Sequence, residues 1–256
     1  AVDHGLHWFD QVFRLENGLY GNLADASGKL TDPTFDFYNQ AFALFAAAQT
    51  AFVFPERRDE MQMRALGILQ VLQRNYAHPV IGFEEANPPR EPLCSNPHMH
   101  FFEAMLAWEV VDPDGPWREL ADEVASLAMD KFIDPQSGGL REFFDHNWAP
   151  MPGDKGRIME PGHQFEWAWL LTRWGKLRKD TDAISKAKRL FEIGEKYGIC
   201  ARRKVAVMSL HDDFSVHDPL ARLWPQTEWL KAAVRLACVT HGEERYRYLS
   251  SAVRAI

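Results

Sequence analysis

The chain repeats itself about every sixty residues, and a period of that length confines it to architectures assembled from copies of one supersecondary unit. Four segments align: Tyr38-Asn39-Gln40-Ala41-Phe42, His98-Met99-His100-Phe101-Phe102-Glu103, Gly162-His163-Gln164-Phe165-Glu166-Trp167 and Trp224-Pro225-Gln226-Thr227-Glu228-Trp229. Anchored on Gln40, His100, His163 and Pro225, the steps are 60, 63 and 62 residues. Each segment runs into an apolar helical stretch, such as Ala104-Met105-Leu106-Ala107-Trp108 or Trp167-Ala168-Trp169-Leu170-Leu171.

Between these segments lies a second helical pattern, more charged and with one apolar stripe: Arg57 to Tyr76, Trp117 to Phe132, Thr181 to Tyr197, and Glu243 to the end. Pro79 and Pro135 mark two of the helix ends. A turn cluster and a short extended piece follow each stripe, as in Asn17-Gly18-Leu19-Tyr20-Gly21, Gly82-Phe83-Glu84-Glu85, Gly138-Gly139-Leu140-Arg141-Glu142-Phe143 and Val205-Ala206-Val207-Met208. The unit is therefore outer helix, short hairpin-like loop, inner helix. Inner helices apolar on most faces belong between a central pocket and an outer layer, and an all-α toroid of helix pairs is the closed arrangement that provides both. The open alternative is a solenoid, for which sixty residues per pair is long. A six-pair toroid needs about 370 residues at this period, whereas 256 residues hold about four pairs. The chain is expected to be one helix-pair domain over 1–256, a middle portion that begins within one outer helix (His4 to Phe13) and stops inside another.

Composition narrows the function. A net charge of −7 with scattered Lys and Arg argues against a nucleic-acid partner. Cys94, Cys200 and Cys238 stand far apart, a pattern suited to a reducing compartment and to neither a disulfide framework nor a structural zinc site. The most apolar stretch, Ala41 to Phe54, is too short to span a bilayer, and no signal peptide opens the chain, so a cytoplasmic location is expected. No phosphate-binding glycine loop, dinucleotide fingerprint or nucleophile elbow is present, and no cofactor is expected.

The inner-helix starts carry the polar groups: Asn96 with His100, His163 with Glu166, and Gln226 with Glu228. His163 and Glu166 are three residues apart and share a helix face. A carboxylate beside an imidazole holds its tautomer and raises its pKa, as general acid–base chemistry near neutral pH requires. A first-turn carboxylate with a core histidine is the structural alternative. Asn96 with Pro97 reads as a helix cap followed by the first helical position. His98 and His100 face different ways, one suited to a site and the other to the core. Helical di-metal sites use E-x-x-H, the reverse of the order here, so no metal is expected. Tyr38 and Trp224, at the same level, suit the apolar face of a sugar ring, or are core. Arg141 and Arg157 are read as loop arginines, and His211-Asp212-Asp213 and His217-Asp218 as turn and helix-start residues.

Asn96-Pro97-His98-Met99-His100, Glu160-Pro161-Gly162-His163-Gln164-Phe165-Glu166-Trp167-Ala168-Trp169-Leu170-Leu171 and Ala221-Arg222-Leu223-Trp224-Pro225-Gln226-Thr227-Glu228 together resemble the N-acylglucosamine 2-epimerase superfamily of sugar epimerases and aldose–ketose isomerases. The stretch from Gly156 to Trp169 most resembles its bacterial mannose isomerase branch. The resemblance implies an (α/α)6 barrel, with His163 as one of two acid/base histidines and Glu166 as its partner. It implies Asn96, His100, Tyr38 and Trp224 around a sugar. The family's second acid/base histidine, in a W-H-x-x-Y-like region, and its sugar-binding arginine have no counterpart here. The implied reaction is conversion of mannose to fructose by proton transfer through a cis-enediol, without a metal. The alternatives are 2-epimerisation of an N-acylglucosamine or a disaccharide, a carboxylate-driven glycosidase, and a non-catalytic sugar-binding or interaction module. The expected partners are a small sugar and, possible on this reading, a second copy of the chain in a homodimer.

Overall fold

A computed structural model describes Val2–Ile256. Nine α-helices occupy the described residues: α1 (Val2–Phe13), α2 (Phe37–Val53), α3 (Arg58–Asn75), α4 (Ser95–Val111), α5 (Trp117–Leu127), α6 (Pro161–Arg178), α7 (Thr181–Gly198), α8 (Trp224–Ala237) and α9 (Gly242–Ala255). Short strands lie between them: β1 (Leu23–Ala24), β2 (Leu30–Asp32), β3 (Leu93–Cys94), β4 (Phe143–Phe144), β5 (Ser209–Leu210) and β6 (Val216–Asp218). β1 pairs antiparallel with β2 and β5 with β6, so these four strands serve as loop hairpins on a helical frame. The chain divides into two compact units, Ala1–Val124 and Ala125–Ile256.

The sixty-residue period has a physical basis in backbone pairing. Just beyond each outer helical stretch, a residue forms an antiparallel bridge to the extended piece that follows: Arg14 with Tyr20, Ala77 with Phe83, Ile133 with Leu140 and Ile199 with Ala206. A side chain from the next inner helix then takes the free backbone groups of that piece. Gln40 accepts from the Tyr20 N–H at 2.9 Å and donates to its carbonyl at 2.8 Å. Gln164 does the same for Leu140, at 2.9 and 2.8 Å, and Gln226 for Ala206, at 3.1 and 3.4 Å. In the remaining copy His98 Nε2 accepts from the Phe83 N–H at 3.1 Å while its Nδ1 donates to the Cys94 carbonyl at 2.9 Å. These clamps satisfy buried donors and acceptors that would each cost about 1–3 kcal/mol if left unpaired. They also fix each inner-helix N-terminus against its loop.

In the first unit α2 packs on α4 and α3. Asp36 caps α2 by accepting from the Tyr38 N–H. Phe37, Phe83 and Phe101 cluster with centroids 5.0–5.4 Å apart, and the Trp108 indole donates to the Leu44 carbonyl at 2.9 Å. In the second unit α6 lies between α7 and α8, and α8 packs on α9. Residues Pro161 to Thr172 are buried without a break, as expected of an inner helix apolar on most faces. A side chain at Gly194 on α7 would meet the Phe165 ring at 2.8 Å, so glycine permits the close approach of α7 to α6. Lys179, at φ 58°, ends α6 in the left-handed conformation. No helix among the described residues is long and apolar enough to cross a membrane.

Candidate active site

In the second unit, the extended piece after Leu140 carries Glu142, and the segment entering α6 carries Met159, Glu160 and then His163. Met159 is held in place by two backbone bonds to Leu210 of β5, at 2.9 and 2.8 Å. Glu160, in extended conformation, is the last residue before α6, and Pro161 opens the helix. His163, on the first turn, is 6% exposed. Its Nδ1 lies 2.9 Å from Glu142 Oε2 and 3.8 Å from Glu160 Oε2. The other oxygen of Glu142 accepts from the Glu160 N–H at 3.2 Å. One buried carboxylate thus caps the helix start and orients the imidazole.

Burial alone would pull the His163 pKa down. The Glu142 charge and hydrogen bond, aided by the charges of Glu160 and Glu166, outweigh it and raise the pKa to about 9. Burial also raises Glu160, to about 7, with the Glu142 charge adding to it and the positive charges of His163 and Arg222 opposing it. With Nδ1 held by Glu142, Nε2 is the nitrogen that can meet a substrate. The Trp224 ring sits 5.1 Å from the imidazole at 34°. Gly162 makes room for it, since a Cβ there would fall 2.3 Å from the indole.

The expected partner of His163 needs correcting. Glu166 is buried one turn further along α6 and acts on the ring through its charge; the carboxylate on the ring nitrogen is that of Glu142. A signal for Glu142 exists in the repeat. Two residues beyond the bridged Phe83 stands Glu85, which accepts from the N–H of Cys94, the residue before α4, just as Glu142 accepts from that of Glu160.

The first unit places Tyr38 against His100, edge to face at 4.9 Å, with Phe42 4.5 Å from the same imidazole. His100 Nδ1 lies 3.9 Å from Glu103 Oε2. His98 is fully buried, and burial lowers its pKa to about 4, so it is a neutral core clamp. Asn96 is not the helix cap. That position falls to Cys94, because α4 begins at Ser95, and Asn96 Oδ1 is buried with no hydrogen-bond partner among the described residues. Gln226 and Glu228 are structural: the first clamps Ala206, and the second accepts from the Trp169 indole at 2.9 Å and pairs with Lys231 at the same distance.

Arg141 and Arg157 knit the loops of the second unit. Arg141 reaches Asp134 at 2.9 Å, Asp212 at 3.0 Å and the Gly156 carbonyl at 2.8 Å. Arg157 reaches Asp212 at 2.9 Å and Asp213 at 3.0 Å.

Residues 1–255 match the profile of the N-acylglucosamine 2-epimerase (GlcNAc 2-epimerase) family. A mannose-6-phosphate isomerase of Rhizobium meliloti (strain 1021) is 61% identical across the whole chain, which spans 66% of that protein's length, just under two thirds. Among solved structures, a D-mannose isomerase superposes with a TM-score of 0.86 at 22% identity, over 98% of this chain and 67% of that one. A cellobiose 2-epimerase from Bacillus thermoamylovorans B4167 gives 0.84 at 19%, over 99% and 67%. These likenesses show the fold, all-α and of the (α/α)6-barrel class.

Proposed function

The chain belongs to the N-acylglucosamine 2-epimerase family, and on that footing we propose that it serves as a sugar isomerase interconverting D-mannose and D-fructose, with His163 carrying the proton. The observation that carries the reading is the buried Glu142–His163 pair. An imidazole raised to about 9 is charged at neutral pH and begins as an acid. It donates from Nε2 to the ring oxygen of the pyranose while the hydroxyl proton on O1 leaves to solvent, which opens the sugar. The neutral imidazole then takes the C2 proton, giving a cis-enediolate; a proton passes from O2 to O1, and the imidazolium returns its own proton to C1 to form the ketose. Glu142 stabilises the charged ring at each stage and fixes which nitrogen faces the sugar.

Trp224, beside the imidazole, offers a face for the sugar ring. In the first unit the same reading gives Tyr38, Asn96 and His100 the role of sugar-contacting groups; Asn96 Oδ1 and the His100 ring suit hydroxyls and a developing oxyanion. An unphosphorylated sugar is favoured because Arg141 and Arg157 are each engaged by two aspartates.

Incubating the chain with D-mannose in deuterium oxide and following the sugar by NMR tests the proposal. Fructose is expected, with deuterium at C1 to the extent that the imidazole exchanges its proton, and His163→Ala should lower the rate by about 100-fold or more. Glucose as the main product would indicate a 2-epimerase. Turnover of mannose by His163→Ala at the rate of the unchanged chain would refute the assignment.

A further inference from the structure

Away from His163, two loops of the second unit bring three metal-ligating side chains together. We infer that Asp154, His211 and His217 form a binding site for a divalent first-row transition-metal ion of the zinc class. One ligand atom from each residue lies within 4.8 Å of the other two. His211 Nε2 is 3.0 Å from Asp154 Oδ1, and His217 Nε2 is 3.6 Å from Asp154 Oδ2. A tetrahedral ion with arms of about 2.05 Å sets its ligand atoms about 3.3 Å apart, a value these two distances bracket.

Three features favour a shared ion over a simple ion pair. The buried His211 Nε2 makes no hydrogen bond although the carboxylate oxygen is 3.0 Å away, so the two atoms are not aligned as donor and acceptor. Both imidazoles are held from behind: His217 Nδ1 by the Ser209 hydroxyl at 2.9 Å, and His211 Nδ1 by the Ser215 hydroxyl at 3.4 Å. That arrangement turns both Nε2 atoms toward Asp154, as outer-shell partners do for histidine ligands. The two rings are also adjacent, with centroids 4.7 Å apart at 60°. Two imidazoles and a carboxylate select zinc, cobalt, nickel or copper over magnesium or calcium.

The site joins separate loops. His211 and His217 flank the turn of the β5–β6 hairpin, and Asp154 starts the short helical turn Lys155–Arg157. Leu210, next to His211, pairs with Met159 at the approach to α6, and Asp212 binds Arg141 and Arg157. A bound ion clamps the loop before the candidate catalytic helix to the hairpin and keeps its remaining coordination open to water. The inference is independent of the proposed sugar chemistry.

Zinc and cobalt titrations of the full chain, read by calorimetry, by the visible spectrum of bound cobalt and by Tm, test it. One equivalent is expected to bind and to raise Tm. His217→Ala and Asp154→Ala should abolish that equivalent, Ser209→Ala should weaken it about 10–100-fold, and His241→Ala, an exposed histidine elsewhere, should leave it unchanged. Binding that persists in both His217→Ala and Asp154→Ala, or no binding at 0.1 mM zinc (roughly the scale of weak surface sites), would overturn the inference.

Discussion

Replacing Glu142 with glutamine isolates the interaction on which the acid–base reading depends. The carboxylate has two acceptor oxygens, one on the His163 ring and one on the Glu160 N–H. An amide has a single carbonyl oxygen, so it cannot accept from both donors. Either the helix cap is lost, or the amide NH2 faces Nδ1 and forces the ring into the tautomer with its proton on Nε2. The negative charge beside the imidazole is lost in both cases. Raising the imidazole from its ordinary 6.5 to about 9 corresponds to about 3 kcal/mol of preference for the charged form. Without the Glu142 charge, burial should return the pKa to 6.5 or below. At pH 7.5 the charged fraction then falls from about 97% to about 10% or less, and an acid-dependent rate falls at least about 10-fold.

The same substitution has a stability signature whose sign is fixed. A histidine raised in the folded state contributes stability that is complete below its unfolded pKa and lost as pH rises through the folded one. Here the window is 6.5 to about 9. The unchanged chain should exceed Glu142→Gln by about 3 kcal/mol near pH 6, by about 2 at pH 7.5 and by less than about 0.5 at pH 9. The His163 Cε1–H resonance, followed by NMR against pH, reads the pKa directly, and urea unfolding at three pH values reads the linkage. A ring that still titrates near 9 in Glu142→Gln would refute the reasoning.

Two further substitutions probe the surrounding geometry. Gly162→Ala should push the Trp224 ring off the imidazole, raising KM for the sugar while leaving the His163 pKa within about 0.5 of its starting value, because the Glu142 pair is untouched; an unchanged KM would remove Trp224 from the sugar site. Gln164→Ala should lower stability by about 2–5 kcal/mol in chemical denaturation, since it strands the buried N–H and carbonyl of Leu140; a loss below about 1 kcal/mol would mean that water replaces the clamp.

The helix pairs were legible because their signals are local and recur. The striped outer segments from Arg57, Thr181 and Glu243 match α3, α7 and α9 within one residue, and the four inner segments fall inside α2, α4, α6 and α8. The outer stretch Trp117 to Phe132 also exists, but its end widens into a wider-than-α turn from Ala128, where the Ile133 N–H reaches back to the Ala128 carbonyl. The site was legible only in part. His163 and Trp224 stand in conspicuous motifs, and the structure brings them together. Glu142 escaped because the nearest carboxylate in helical register, Glu166, offered a simpler partner. The pairing that actually forms spans 21 residues and depends on how the Gly138–Phe143 piece folds back on the helix start. The histidines of the β5–β6 hairpin escaped for a similar reason: six residues apart in a turn, they show no metal spacing until the hairpin closes and Asp154 arrives from another loop.

The two glutamates in the repeated slot show how a structural device becomes a chemical one. Glu85 and Glu142 each accept from the backbone N–H at the start of an inner helix, at 2.9 and 3.2 Å. Three residues beyond that N–H stands Pro97 in one copy and His163 in the other. Without an imidazole to balance it, Glu85 is raised to about 7, chiefly by burial and further by Asp36, against the hydrogen bond from Cys94. Its charge is a burden to the fold above its unfolded pKa of 4.5, whereas the charge of Glu142 holds an imidazolium. Glutamine at position 85 keeps the accepting carbonyl and removes the charge, so Glu85→Gln should be as stable as the unchanged chain near pH 4.5. At pH 7.5 it should be more stable by about 1–3 kcal/mol. That sign is opposite to the one expected for Glu142→Gln at the same pH. Urea midpoints of the two variants measured side by side decide the matter. If both are destabilised equally at pH 7.5, the carboxylate charge is part of the cap itself, and the distinction drawn between the two copies fails.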